Sequence, residues 1–327
     1  MERVSERDLI ARYLAPLADP QSSFGLRDDA AWLRTGLNRG LVVTTDALVA
    51  GVHFFEDDDP GSVAFKALAV NVSDLTAKGA EPHAYLLTLA LGSAPTHAWA
   101  SEFADGLASA QKAFGMSLIG GDTVKARGAW WLSVTAFGQP GERGMVERGA
   151  ARVGDWLYAS GTLGDAALGL RLRQDASAWP LPDDQRAMLL SRYLGPQPRL
   201  ALIPALRECA SAAMDISDGL AIDLGRMCAA SGVSAVVETA RLPLSEAAAQ
   251  IHANDAGALE AIISGGDDYE ILASIPPDSA AQYERLAAAV QVRITRIGRI
   301  TEGNTAPVFL NAAGEPLHLR SPGFEHF

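Results

Sequence analysis

Five times along this chain an apolar run ends in small or polar residues and then aspartate. The runs are Val42-Val43-Thr44-Thr45-Asp46, Val70-Asn71-Val72-Ser73-Asp74, Leu118-Ile119-Gly120-Gly121-Asp122, Met214-Asp215-Ile216-Ser217-Asp218 and Ile262-Ile263-Ser264-Gly265-Gly266-Asp267-Asp268, and Asp28-Asp29 adds a sixth acidic cluster. A carboxylate beside a buried segment is costly unless it is paired or bound to a cation. Any one of these could be a helix cap or a turn, and Asp74 has a ready partner in Lys78 four residues on. Together they exceed what the nearby Lys and Arg can pair.

The donor types narrow the chemistry. Carboxylates and hydroxyls without clustered His or Cys suit Mg²⁺ or Mn²⁺ rather than Zn²⁺ or an iron–sulfur cluster, and the six histidines are scattered without metal-ligand spacing. In Leu41–His53 a β-branched run passes into Thr44-Thr45-Asp46, and His53 follows seven residues later. That reads as a strand delivering oxygens at its carboxyl end, the wall of a metal or ligand site, or equally as a strand-end turn with an Asx cap. Glycine pairs before Asp122 and Asp267 would let backbone N–H groups approach an anion. Several Mg²⁺ ions with glycine loops point to polyphosphate chemistry. None of the four lysines stands in a Gly-x-x-x-x-Gly-Lys-Ser/Thr loop, and the chain has no His-Arg-Asp or Asp-Phe-Gly, which disfavours the common nucleotide-binding folds.

A length of 327 residues favours two domains. The net charge of −12 argues against nucleic acid or anionic membranes as partners, though not against small anionic substrates. The charged start has no signal-peptide core, and no apolar run reaches the ~20 residues a bilayer needs, so a cytoplasmic enzyme with Cys209 and Cys228 as reduced core thiols is expected. Helices are expected at 5–14, 62–78, 96–114, 165–173, 183–194, 198–210, 218–230 and 245–263. Strands are expected at 41–43, 84–91, 117–119, 130–137, 156–159, 212–216, 233–238, 269–275 and 293–300. The polar stretch Gln139–Gly144 reads as a linker between domains at 1–140 and 150–327. Both halves are of the α/β or α+β class, each mixing a sheet with helices.

Arg27-Asp28-Asp29-Ala30-Ala31, Thr44-Thr45-Asp46 with Gly51-Val52-His53-Phe54, Ala69–Asp74, Gly120-Gly121-Asp122-Thr123, Asp215-Ile216-Ser217-Asp218-Gly219-Leu220, Gly265–Glu270 and the tail Gly323–Phe327 resemble the thiamine-monophosphate kinase family, in order from about residue 24 onward. That family belongs to the aminoimidazole ribonucleotide synthetase-like ATP-dependent enzymes. The resemblance implies a fold of that kind, with an N-terminal half that binds ATP and Mg²⁺ and joins a homodimer, and a C-terminal half that completes the site. It implies several Mg²⁺ ions held by Asp29, Thr44, Thr45, Asp46, Asp74, Asp122, Asp215 and Asp218. ATP would be contacted by Gly121, Asp122, Arg148 and Ser217, and thiamine monophosphate by His53, Asp267 and Phe324. The family usually has Glu where this chain has Asp267, and often Tyr or Trp where it has Phe324. The implied reaction transfers phosphate from ATP directly to the acceptor phosphate without a general base. The rival readings are a relative acting on another substrate and a non-catalytic Mg²⁺–nucleotide binder. Within the superfamily, selenophosphate synthetase is expected to carry a reactive Cys or selenocysteine near the start, and the hydrogenase maturation factor a C-terminal Cys. This chain has its first Cys at Cys209 and ends in Phe327.

Overall fold

The computed structural model describes residues 15, 24–33, 40–255, 257–320 and 323–324. The helix expected at 5–14 and tail residues 325–327 lie outside them. In the first half, strands β1 (Ala31–Leu33), β2 (Leu41–Val49), β3 (Glu81–Leu91), β4 (Ser117–Lys125) and β5 (Trp131–Gln139) form a sheet in the order β1-β2-β5-β3-β4. Only β3 and β4 pair in parallel, and helix α2 (His97–Phe114) makes the crossover such a pair requires.

Helix α1 (Pro60–Ala77) is the element both halves share. Asp59 caps it by accepting the Ser62 amide (2.7 Å), and Pro60 takes a first-turn position where no amide donor is needed. Gly79 ends it in the left-handed region at φ +63°. Thirteen of its residues are buried, as expected of a helix enclosed on all sides. It packs on β2, β5 and α2 of its own half and on β7 and β9 of the second sheet.

That second sheet runs β11-β8-β10-β6-β9-β7, with β6 (Trp156–Ser160), β7 (Ala212–Ile216), β8 (Ser234–Glu238), β9 (Glu270–Ile275), β10 (Ile294–Thr301) and β11 (Val308–Leu310). Helices α3 (Asp165–Gln174), α4 (Asp183–Leu194), α5 (Ile203–Cys209), α6 (Leu220–Ser231), α7 (Glu246–Asn254), α8 (Ala258–Ser264) and α9 (Pro277–Ala289) surround it. The architecture is α+β, two mixed sheets each covered by helices. Cys209 and Cys228 are buried free thiols. Among the described residues no helix is long and apolar enough to cross a membrane.

Several expectations need correction. Strand β2 does not stop at Val43: it pairs with β5 continuously from Val42↔Gly138 to Val49↔Trp131. Thr44, Thr45 and Asp46 therefore sit in mid-strand, not at its carboxyl end. The single helix expected at 245–263 is two, α7 and α8. Helix α9 was missed, although Pro277 and Asp278 in its first turn are an ordinary start signal. The stretch 139–144, read as a linker, is packed against the second half. Pro140, Gly141 and Gly144 are buried, and Arg207 of α5 holds the Gln139 carbonyl (2.9 Å) and Glu81 (2.7 Å).

The contact between α1 and α2 leaves no room for a side chain at Gly106, where a Cβ would stand 2.1 Å from the carbonyl oxygen of Gly61. Gly106→Ala is expected to destabilise the fold by about 1–3 kcal/mol through overpacking, read as a lower denaturation midpoint. An unchanged midpoint would mean the two helices can separate freely.

Candidate active site

Three elements far apart in sequence bring carboxylates together. Asp29 precedes β1, Asp74 lies in the last turn of α1, and Asp215 is on β7. One oxygen of each lies within 4.8 Å of the others. Thr44, on the inward face of β2, donates to Asp74 Oδ2 (2.5 Å), and its hydroxyl lies 3.1 Å from the Asp29 carbonyl oxygen. Asp46, two residues on and on the same face, has its amide fixed by Asn71 Oδ1 of α1 (3.1 Å).

Lys78, wholly buried just past α1, makes this crowding tolerable. Its ammonium stands 2.8 Å from Asp28 Oδ1 and 2.6 Å from Asp29 Oδ2 and donates to the Ala213 carbonyl (2.8 Å). The expected Lys78–Asp74 pair is not among the ion pairs of the described residues, because Lys78 is committed to Asp28 and Asp29. Arg148 joins them: its guanidinium pairs with Asp29, and its amide donates to Asp28 Oδ2 (2.8 Å). Arg226 pairs with Asp218 and Asp223.

These cations do not balance the acids. Burial first, then the charges of Asp215 and Asp46, push the Asp74 carboxyl well above the usual carboxylate range. Burial, with Asp46 facing it, raises Asp215 to about 6 despite Lys78 and Arg148. Close enclosure by protein and then Asp218 raise Asp46 to about 6. Asp46 is nevertheless exposed on its cleft side, so water offsets part of that rise. Crowded oxygen donors with surplus negative charge match the coordination demands of Mg²⁺, which Asp29, Asp74, Asp215 and the neighbouring Asp46 could hold.

The cluster opens into a cleft of about 750 Å³. Asp46, Asp74, Asp215, Ser217 and Asp218 line it, and so do His53, Gly265, Gly266, Asp267 and Phe324. His53 Nδ1 accepts the Val49 amide (3.0 Å), which puts the proton of the neutral ring on Nε2. Asp267 and Tyr269 hold the left-handed conformation, at φ +71° and +51°. Their amides donate to the carbonyls of Ser217 (2.7 Å) and Ile216 (2.8 Å). The Phe324 amide donates to the Asp218 carbonyl (3.1 Å).

Not every expected site residue joins them. Thr45 lines the cleft but faces away from Thr44 and the acid cluster, its hydroxyl donating to the Val134 carbonyl (3.0 Å). Gly121 and Asp122 lie on β4, exposed throughout, and do not line the cleft. A side chain at Gly121, φ +154°, would put its Cβ 1.8 Å from the Leu87 carbonyl oxygen, so strand packing alone requires glycine there. Sequence reasoning also missed two residues. Lys78 looked like a helical pair partner. Asp223 is fully buried and accepts the amides of Ser217 (3.0 Å), Asp218 (3.0 Å) and Gly219 (3.2 Å), shaping the turn that presents Ser217 and Asp218. An acid in the first turn of α6 was its one visible signal.

Residues 27–139 match the family described as AIR synthase related protein, N-terminal domain, and residues 152–310 match its C-terminal domain. Fold and site thus define an enzyme of the AIR synthase-related class. The thiamine-monophosphate kinase of Escherichia coli (strain K12) is 37% identical over 325 residues, 98% of each chain. That of Caulobacter vibrioides is 40% identical over 304 residues, 91% of this chain and 85% of its own. The solved structure "AaThiL complexed with AMPPCP and TMP" superposes with a TM-score of 0.86 at 30% identity, covering 100% of this chain and 99% of its own. The chain belongs to the thiamine-monophosphate kinase family, and it is a kinase.

A raised carboxyl pKa fixes the sign of a pH effect. Between its ordinary value of 3.8 and about 6, Asp215 binds a proton more tightly in the folded chain than in the unfolded one. Its cost to stability therefore grows as pH rises through that window and stays in full above it. In EDTA, Asp215→Asn is expected to be more stable than wild type by about 1–3 kcal/mol near pH ~7.5, the gain vanishing near pH ~4. Denaturant melts at the two pH values check it, and a gain independent of pH would refute this electrostatic account.

Proposed function

We propose that this chain transfers the γ-phosphoryl group of ATP to thiamine monophosphate, giving thiamine diphosphate and ADP. The observation that carries the reading is the single cleft in which the surplus-acid cluster and His53, Asp267 and Phe324 meet. Several Mg²⁺ ions, when bound, neutralise the phosphates so that an anionic acceptor can approach an anionic donor. Asp29, Asp46, Asp74 and Asp215 would hold them, with Thr44 and Asp218 beside them. Ser217 and Arg148 would contact the nucleotide. Phe324 offers a flat apolar face to a thiamine ring, and Asp267 and His53 offer polar contacts.

The acceptor phosphate has a second pKa near ~6 and is largely dianionic at neutral pH. Its oxygen attacks the γ-phosphorus in line, the bond to the β,γ-bridging oxygen breaks, and ADP leaves. No proton has to be removed, which is consistent with a site built from carboxylates and no nucleophile–base pair. The first half, 1–140, would bind ATP and Mg²⁺, and 150–327 would complete the cleft, in the cytoplasm. The exposed edge strand β4, with Leu118 46% and Ile119 62% exposed, supports a homodimer through the first halves.

ADP release should depend on thiamine monophosphate and be absent with thiamine or with no acceptor. Acceptor-independent release, or none, would overturn the reading. Asp46→Asn is expected to lower kcat about 10²–10³-fold without lowering the melting temperature, and near-normal turnover would remove Asp46 from the site. Radiolabel retained on the protein after incubation with γ-labelled ATP alone would exclude direct transfer.

A further inference from the structure

The two polar contacts assigned to the acceptor, His53 and Asp267, come from opposite halves of the chain, and one side chain touches both. Lys66 lies on α1 and is 1% exposed. Its ammonium stands 2.6 Å from Asp267 Oδ2 and donates to the His53 carbonyl oxygen at 3.2 Å. The ring face of Tyr193, on α4, lies 4.4 Å away. A buried ammonium must be matched by acceptors and opposite charge, and these three groups supply the match. Lys66 does not itself line the cleft.

Both contacts need such support. Asp267 is a non-glycine residue at φ +71° with its side chain 25% exposed, so it is strained and open to the cleft. The loop that carries His53 is gripped from the second half as well. Tyr193 donates to Asp58 Oδ2 (3.2 Å), and Arg173 of α3 pairs with Asp58 (3.3 Å) and Asp57 (2.8 Å). Tyr193 thus stacks on Lys66 and bonds the His53 loop at once. Lys66 and Tyr193 together tie the side of the cleft that carries His53 to the side that carries Asp267.

We propose that Lys66 is a positioning residue for the acceptor, setting the gap between His53 and Asp267 and thereby the affinity for thiamine monophosphate. The inference rests on the reading that those two residues hold the acceptor. A merely structural staple would weaken ATP and acceptor alike, whereas a positioning residue acts on the acceptor alone.

The test compares wild type, Lys66→Met, Asp267→Asn and the double variant by KM for each substrate, kcat and melting temperature. Lys66→Met is expected to raise the acceptor KM about 10-fold or more while the ATP KM stays within about two-fold. In the Asp267→Asn background it should add little, because its lever on the acceptor is already gone. An unchanged acceptor KM, an equal rise for both substrates, or additive effects would overturn the proposal. If Lys66→Met alone does not fold, the double variant, with both charges removed, carries the comparison. An acceptor KM equal to that of Asp267→Asn supports the proposal, and a further rise overturns it. Wild type that ignores thiamine monophosphate overturns the kinase reading and this inference with it. Normal wild-type turnover with a normal Lys66→Met overturns this inference alone.

Discussion

The ammonium of Lys78 is the contact on which the site depends. It reaches Asp28 and Asp29 from the start of the chain and the Ala213 carbonyl of the second sheet, and it is buried beneath all three. Removing one partner of a buried charge pair costs far more than the pair is worth, because the other charge is left without solvent. Here the groups left behind would be two carboxylates already crowded by Asp74 and Asp215. The same atom therefore closes the two halves of the chain and permits the acids to converge.

Helix α1 shows how the fold reconciles core packing with polar chemistry. Val63, Ala67, Leu68, Val72 and Leu75 fill the interior. Lys66, Asn71, Asp74 and Lys78 come from the same short run, and each has a partner outside the helix or in the cleft. Lys66 meets Asp267, Asn71 the Asp46 amide, Asp74 Thr44, and Lys78 the first acidic pair. A helix buried on every side can carry polar residues only where each is satisfied. On α1 those partners lie in both halves, so the helix aligns one wall of the cleft with the other.

The acidic clusters were legible in the sequence because local pattern records them: an apolar run ending in aspartate is visible without knowing what it packs against. The limits of α1 and α2 were legible to within two residues: the helices expected at 62–78 and 96–114 run Pro60–Ala77 and His97–Phe114. What stayed hidden depends on partners distant in sequence. β2 extends to Val49 because β5 offers a full register, and nothing within 41–49 says so. Lys78 sits four residues from Asp74, which suggested a helical pair, yet the stronger demand comes from Asp28 and Asp29. Lys66 gave no signal, since its partner Asp267 is 201 residues away. Gly121 was visible, but the reason for it lies in the Leu87 carbonyl across the sheet.

Two different physical devices meet in the cleft. At the acidic cluster, negative charge exceeds what Lys78, Arg148 and Arg226 can balance, and burial first, then the neighbouring carboxylates, raises the carboxyl pKa values of Asp74 and Asp215. At Asp267 and Tyr269 the cost is conformational, two non-glycine residues held left-handed on either side of the buried Asp268. Both devices spend stability that a packed core could have kept. They differ in what relieves them: added positive charge relieves the first, while the second is held by contacts the chain makes with itself, through the Ser217 and Ile216 carbonyls and Lys66. Of these two devices, only the acid cluster changes its free energy when a cation arrives. The turn that carries Asp267 is held by contacts within the chain, the Ser217 and Ile216 carbonyls and the Lys66 ammonium.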